Sequence, residues 1–299
     1  MNFLQRLFTQ PKTGDTQPVE PQQVEKNQEH KPDSRGRINQ LSPGLHVGKL
    51  SDVGRVRERN EDSFYAIQSV LHHNYGQEPF GLFVVTDGMG GHQHGEIASS
   101  LAARTMASCI LREVYLPYLA NDNQSSNRPI NEILVEAVQH ANTLVQEAAP
   151  EGGTTLTAAL VMGNSAYIAH VGDTRAYLFN QDKMKQITKD HSLVQRLVEL
   201  GQETPEGALV HPQRNVLYRA IGQGDTMEVD TYVQHLPPGS TLLLCSDGLW
   251  GPVGNENLQK IINSSITPQD ACERLIAAAN ANGGEDNITA IIVSMGVED

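Results

Sequence analysis

Apolar side chains in this chain come in short, dense runs separated by polar stretches, and three of the runs stop on an aspartate. Phe80–Thr86 leads into Asp87, Ala166–Gly172 into Asp173, and Thr241–Ser246 into Asp247. A fourth run, Ile288–Val293, follows Asp286 and Asn287. Runs of this length, rich in β-branched residues, predict buried strands. A strand that ends in a carboxylate carries that carboxylate to the sheet edge. If the last strand runs antiparallel to the others, its start lies at the same edge as their ends. Four carboxylates would then converge there. Like charges repel at close range, so such a cluster needs cations, and oxygen-only donors suit hard divalent ions such as Mg2+ or Mn2+.

The remaining pattern predicts further strands near 45–53, 63–68, 154–162, 165–171, 174–180 and 226–235, with the last at 287–294. Helices are predicted near 95–119, 129–149, 192–201, 255–264 and 267–281. Gly95-Glu96 opens the first, placing an acid at the positive end of the helix dipole. Pro129 suits the first turn of the second. The stretch 202–220 reads as irregular. Strands cluster in antiparallel-looking groups with helices set apart, which predicts an α+β layered fold rather than βαβ alternation. Residues 9–44 are rich in Gln, Pro, Lys and Glu, with too little apolar surface to offset ordering entropy. The expected organisation is a disordered tail, 1–44, followed by one folded domain, 45–299.

Composition narrows the chemistry. The 22 basic against 35 acidic side chains argue against nucleic acid as a main ligand. Residues 1–45 hold six Lys/Arg and five acids, so the negative charge falls almost wholly on the rest of the chain. Cys109, Cys245 and Cys272 are scattered without metal-ligand spacing, a pattern of reducing compartments. No apolar segment approaches the ~20 residues that cross a bilayer. Met1–Phe8 lacks the length and cleavage site of a secretory signal. The expected location is the cytoplasm.

Seven segments then stand out in order: Arg57-Glu58-Arg59-Asn60-Glu61-Asp62; Asp87-Gly88-Met89-Gly90-Gly91-His92; Gly95-Glu96-Ile97-Ala98-Ser99; Gly153-Thr154-Thr155-Leu156; His170 through Tyr177; Ser246-Asp247-Gly248-Leu249; and Glu285-Asp286-Asn287-Ile288-Thr289. Together they resemble the metal-dependent serine/threonine protein phosphatases of type 2C, in their bacterial branch, over residues 45–296. The resemblance implies a four-layer α-β-β-α sandwich with the metal cleft at one sandwich edge. It implies two Mn2+ or Mg2+ ions bridged by Asp87. Asp247 and Asp286 would complete one, and Glu61 with the Gly88 carbonyl would serve the other. Asp173 with Asp247 would correspond to a weaker third position. Asp62 would hold a metal-bound water, and Arg57 would contact the substrate phosphate. The stretch 192–220 resembles the family's flap beside the cleft.

Phosphate monoesters hydrolyse so slowly that enzymes accelerate the reaction by up to ~10²¹-fold. A water shared by two divalent ions can drop its pKa from 15.7 toward ~7, giving a hydroxide for in-line attack at neutral pH. Arginine offers a planar fork matched to two phosphate oxygens. One departure matters: where eukaryotic members have a histidine after Asp-Gly, this chain has Met89, which has no proton to give. His92 and metal-bound water remain as acids for the leaving oxygen. The implied substrates are phosphorylated proteins, including products of an endogenous serine/threonine kinase, handled by a monomer. Two alternatives stay open: a non-catalytic phosphoprotein-binding regulator, and a switch phosphatase devoted to one partner.

Overall fold

The computed structural model describes Ile38 and residues 41–73, 76–90, 94–120, 128–181, 183–224 and 227–297. The described strands pair antiparallel into two sheets. One has five strands in the order β1 (Leu45–Asp52), β11 (Ile288–Met295), β10 (Thr241–Cys245), β7 (Arg175–Asn180) and β8 (Lys183–Gln186). The other runs β2 (Asp62–His73), β3 (Gly76–Met89), β5 (Leu156–Met162), β6 (Ser165–Val171) and β9 (Asp230–His235). A two-residue strand, β4 (Gly153–Thr154), caps the end of β3.

Successive side chains of a strand point to opposite faces, so a strand buried on both sides feeds two cores. Phe83 and Val85 of β3 meet Leu244, Ile291 and Val293 between the sheets. Their neighbours Leu82 and Val84 turn outward, onto Met106 of α1 (His94–Ile110) and Leu134 and Val138 of α3 (Ile130–Ala148). Leu243, Cys245 and Ile292 face away on the other side. They pack on α6 (Asp247–Val253), α7 (Asn255–Ser264) and α8 (Pro268–Ala281) through Leu249, Leu258 and Leu275. Three cores between four layers give the α-β-β-α sandwich that the family resemblance implies.

Several elements differ from expectation. The helix expected over 95–119 is α1, a π-helical turn at Leu111–Tyr115, and the short α2 (Leu116–Ala120). The strand expected at 154–162 is split at Thr155, whose N–H donates to the Asp87 carbonyl at 2.9 Å. Among the described residues of 226–235, the strand is Asp230–His235. The flap holds α4 (Leu193–Glu199) and also α5 (Pro205–Val210), capped by Thr204, whose hydroxyl accepts the Gly207 N–H at 3.0 Å. The packed body reaches back to Ile38, which is 2% exposed and donates its N–H to the Ser265 carbonyl at 2.9 Å. The rest of 1–40 lies outside the described residues.

Candidate functional site

Antiparallel pairing decides which strand ends meet. Ala290 of β11 lies opposite Cys245 of β10, so Asp286 ahead of β11 and Asp247 after β10 share one edge. Arg175, the first residue of β7, also lies opposite Cys245, which brings the turn carrying Asp173 to that edge. In the other sheet Asp62 is directly opposite Asp87, so both side chains leave the same face. Ser246 joins the two edges: its hydroxyl donates to Asp62 Oδ2 at 2.8 Å and accepts the Thr289 N–H at 3.0 Å.

The backbone around each acid is fixed locally. Asp87 donates its N–H to Thr155 Oγ1 at 3.0 Å, and its carbonyl accepts from Thr154 Oγ1 at 2.9 Å. Gly88 is required by crowding, because a Cβ there would lie 2.3 Å from the Gly95 carbonyl oxygen and 2.5 Å from that of Glu61. A Cβ at Gly95 would sit 2.8 Å from Glu61 Oε2, so the opening turn of α1 makes room for that carboxylate. The Asp173 carbonyl accepts the Trp250 indole N–H at 3.0 Å. Trp250 lies under the Arg175 guanidinium, 3.4 Å from ring centroid to carbon, and Arg175 forks onto Asp190.

Arg57 reaches Asp286 Oδ2 at 2.8 Å, in a pair half open to solvent. Such a pair is weak and gives way readily to a better partner for either side. Among the described residues no three acidic, histidine or cysteine side chains form a ready-made cage; with Asp286 turned to Arg57, part of the cluster is engaged elsewhere.

Electrostatics distinguish this edge from a surface acid patch. Burial, with Asp247 and Asp286 nearby, pushes the Asp62 carboxyl up to about 7 despite hydrogen bonds from Thr289 and Ser246. Burial and Asp286 push Asp247 up to about 6. Burial and the neighbouring aspartates hold Asp87 and Asp173 well above the ordinary carboxylate range. Desolvation also raises Glu61, against the pull of Arg57. Asp62 Oδ1 and Asp247 Oδ1 are buried with no protein hydrogen-bond partner. Oxygens in excess of donors, each raising its neighbours' pKa, fit the replacement of protons by divalent cations.

Asn287 is the functional residue whose role the sequence reading missed. Its Nδ2 donates to the carbonyls of Val53 and Arg59, both at 2.9 Å, and its Oδ1 accepts the Glu61 N–H at 2.7 Å. It clamps the loop that presents Arg57 and Glu61. The signal was present in the segment Glu285–Thr289, where an amide next to a metal-type aspartate is a candidate for loop pinning. His92 lies outside the described residues. His170 is a core histidine: Nδ1 faces Thr157 Oγ1 at 2.9 Å, Nε2 faces the Lys189 carbonyl at 3.0 Å, and burial lowers its pKa to about 3.

An all-antiparallel double sheet with an oxygen-rich acidic centre at one edge defines a class of protein suited to chemistry on anionic substrates with hard divalent cations. Comparison with known proteins gives the family. The profile described as "Protein phosphatase 2C" matches residues 56–286. A serine/threonine phosphatase, Stp of Listeria innocua, is 37% identical over 250 residues, covering 83% of this chain and 95% of the relative. The Mycobacterium tuberculosis serine/threonine phosphatase PstP/Ppp superposes with a TM-score of 0.70 at 34% identity, covering 85% of this chain and 99% of that one. The PstP catalytic domain in complex with two manganese ions superposes with a TM-score of 0.68 at 33% identity, over 85% of this chain and 99% of that one. The chain belongs to the protein phosphatase 2C family, a family of metal-dependent serine/threonine phosphatases, and is an enzyme of that kind. No helix among the described residues is long and apolar enough to cross a membrane.

Proposed function

We propose that the chain removes phosphate from phosphoserine and phosphothreonine in proteins, using the carboxylate edge as a centre for two Mn2+ or Mg2+ ions. In this reading Asp87 would serve both ions, Asp247 and Asp286 would complete the set for one, and Glu61 with the Gly88 carbonyl would serve the other. Asp173 and Asp247 offer a weaker third position. The observation that carries it is the meeting of these carboxylates at one edge, with buried oxygens of Asp62 and Asp247 left unpartnered. Bound cations of this kind neutralise the cluster and lower the pKa of water to the neutral range.

The chain's own groups then have distinct tasks. Arg57 exchanges Asp286 for the substrate, where its fork spans two phosphate oxygens. Asp62, held at Oδ2 by Ser246, keeps Oδ1 free to accept a hydrogen bond from the attacking water and orient it in line. The leaving seryl or threonyl oxygen takes its proton from His92 or from water, since Met89 carries none. Asn287 keeps Arg57 and Glu61 in register with Asp286.

The catalytic unit is assigned to 45–299, with 1–44 as a tail dispensable for chemistry. Three free, buried cysteines fit a reducing compartment, and we place the protein in the cytoplasm. It acts there as a monomer on phosphoproteins, including those made by a serine/threonine kinase. The test is phosphate release from phosphothreonine and phosphoserine peptides with Mn2+. Turnover by wild type, lost in Asp247→Ala, is the expected result. Binding of peptide and Mn2+ without release would replace this reading with the regulator.

A further inference from the structure

The flap leaves the body through a neck made by His191 and Tyr218. Tyr218 donates its N–H to the His191 carbonyl at 2.9 Å, and Leu193 donates to Val216 at 2.8 Å. The polar groups of His191 also grip the turn that carries Asp173. Its backbone N–H donates to the Gly172 carbonyl at 2.7 Å, and its ring Nδ1 accepts the Gly172 N–H at 3.1 Å. An accepting Nδ1 leaves the ring proton on Nε2, which faces Asp230 Oδ2 at 3.3 Å. Arg219 reaches Asp230 Oδ1 at 3.1 Å, and the same nitrogen lies 3.3 Å from His191 Nε2, so the ring edge is shared between Asp230 and Arg219. The His191 side chain is 1% exposed, so its ring has little room to change partners. Gly172 has little freedom either: its φ is +104°, and a Cβ there would lie 2.6 Å from the Thr155 side chain. One residue, His191, through its backbone and ring together, therefore connects the flap neck, the sheet beneath it and the residue next to Asp173.

We propose that His191 is a positioning residue that couples the flap to Asp173. Ordering the neck and filling the weaker cation position at Asp173 then favour each other. The proposal rests on the assignment of Asp173 to a cation. Coupling of binding free energies is reciprocal, so it is readable from either end without measuring turnover.

The experiment uses the full chain and Mn2+ alone, with titration calorimetry for the cation and amide exchange over peptides spanning 191–194 and 216–219 for the neck. In wild type, neck exchange slows several-fold as the weaker site fills. His191→Ala weakens that site by about 10-fold or more, as loss of a group supporting a metal ligand does. It leaves the tight sites unchanged and removes the Mn2+ effect on exchange. His191→Asn, whose Oδ1 stands where Nδ1 was, restores most of the weak-site affinity. Should His191→Ala not fold, His191→Gln carries the test; it keeps a donor for Asp230 but no acceptor at the Nδ1 position, and loses the weak site likewise. An unchanged weak site in the Ala or Gln variant overturns the proposal, as does neck exchange indifferent to Mn2+ in wild type. If Asp173→Asn leaves the whole isotherm unchanged, the assignment of Asp173 itself has failed, and the coupling falls with it.

Discussion

Asn287→Ala is the sharpest test of how the loop carrying Arg57 and Glu61 is held. The side chain is 5% exposed and makes three hydrogen bonds to backbone groups: two to carbonyls at 2.9 Å and one from an N–H at 2.7 Å. Each such bond is worth about 1 kcal/mol net, and more where truncation strands a buried partner. The Val53 and Arg59 carbonyls lie in an accessible loop where water can replace the amide. The Glu61 N–H, beside the Gly88–Gly95 contact, is harder to rehydrate. The sum is a loss of about 2–3 kcal/mol in unfolding free energy. The catalytic effect is larger than stability alone implies, because a shift of about 1 Å in a positioning group costs on the order of 10²-fold in rate. Urea unfolding gives the first quantity, and kcat/KM for a phosphothreonine peptide at saturating Mn2+ gives the second. Asn287→Asp sharpens the result, since it keeps the acceptor for Glu61 but replaces the amide donor by a carboxylate oxygen facing the two carbonyls. A loss below about 1 kcal/mol with kcat/KM within about threefold of wild type would refute the clamp.

Other outcomes follow from the same structure. In metal-free protein the carboxyls of Asp62 and Asp247, raised to about 7 and about 6 by burial and like charge, make the fold bind more protons than the unfolded chain. Stability is therefore expected to fall, by a few kcal/mol, as pH rises from about 4 through 7. Thermal melts of EDTA-treated protein at low and neutral pH check this, with Mn2+ reversing the neutral-pH loss; a melting temperature flat or rising over that range would sink it. Arg57→Ala should lower kcat/KM by about 10–10²-fold, and Arg57→Lys should recover little, because a point charge does not reproduce the fork. Full rescue by lysine in peptide assays would remove the bidentate role. Trp250→Phe removes the donor to Asp173 but keeps an aromatic face for Arg175, for about 1 kcal/mol. Trp250→Ala removes both and should cost about 3 kcal/mol or more in urea unfolding. A chain starting at residue 38 should keep wild-type turnover and stability. One starting at 45 should be less stable by about 2 kcal/mol because it lacks buried Ile38, and equal melts for the two would discount that contact.

The site was more legible in the chain than the connections around it. An apolar run closing on an acid is a local signal, and the run ending at Asp247 needed only the antiparallel direction of β11 to meet Asp286, whereas Asp87 joins them from the other sheet, where it lies opposite Asp62. What stayed hidden depends on distant partners. Asp247–Val253, to which the apolar pattern assigns no element, is α6. It is held because Gly248 packs on the Asn287 carbonyl, which a Cβ would approach to 2.1 Å. The polar strand β8, Lys183–Gln186, carries no apolar alternation because it is an edge strand paired only with β7. The break at Thr155 is set by Asp87 across the sheet. Asn287 was visible as a residue but not as a clamp, since its three partners lie more than 200 positions away in the chain.

The central claim is that the carboxylate edge holds divalent cations and that hydrolysis depends on them. The most direct measurement combines equilibrium dialysis of Mn2+ with phosphate release from a phosphothreonine peptide, on the same samples of wild type and Asp87→Asn. The account predicts about two tightly held equivalents in wild type, with turnover rising as they fill, and loss of both tight binding and turnover in Asp87→Asn. Full turnover in EDTA, or wild-type binding and turnover in Asp87→Asn, would contradict it.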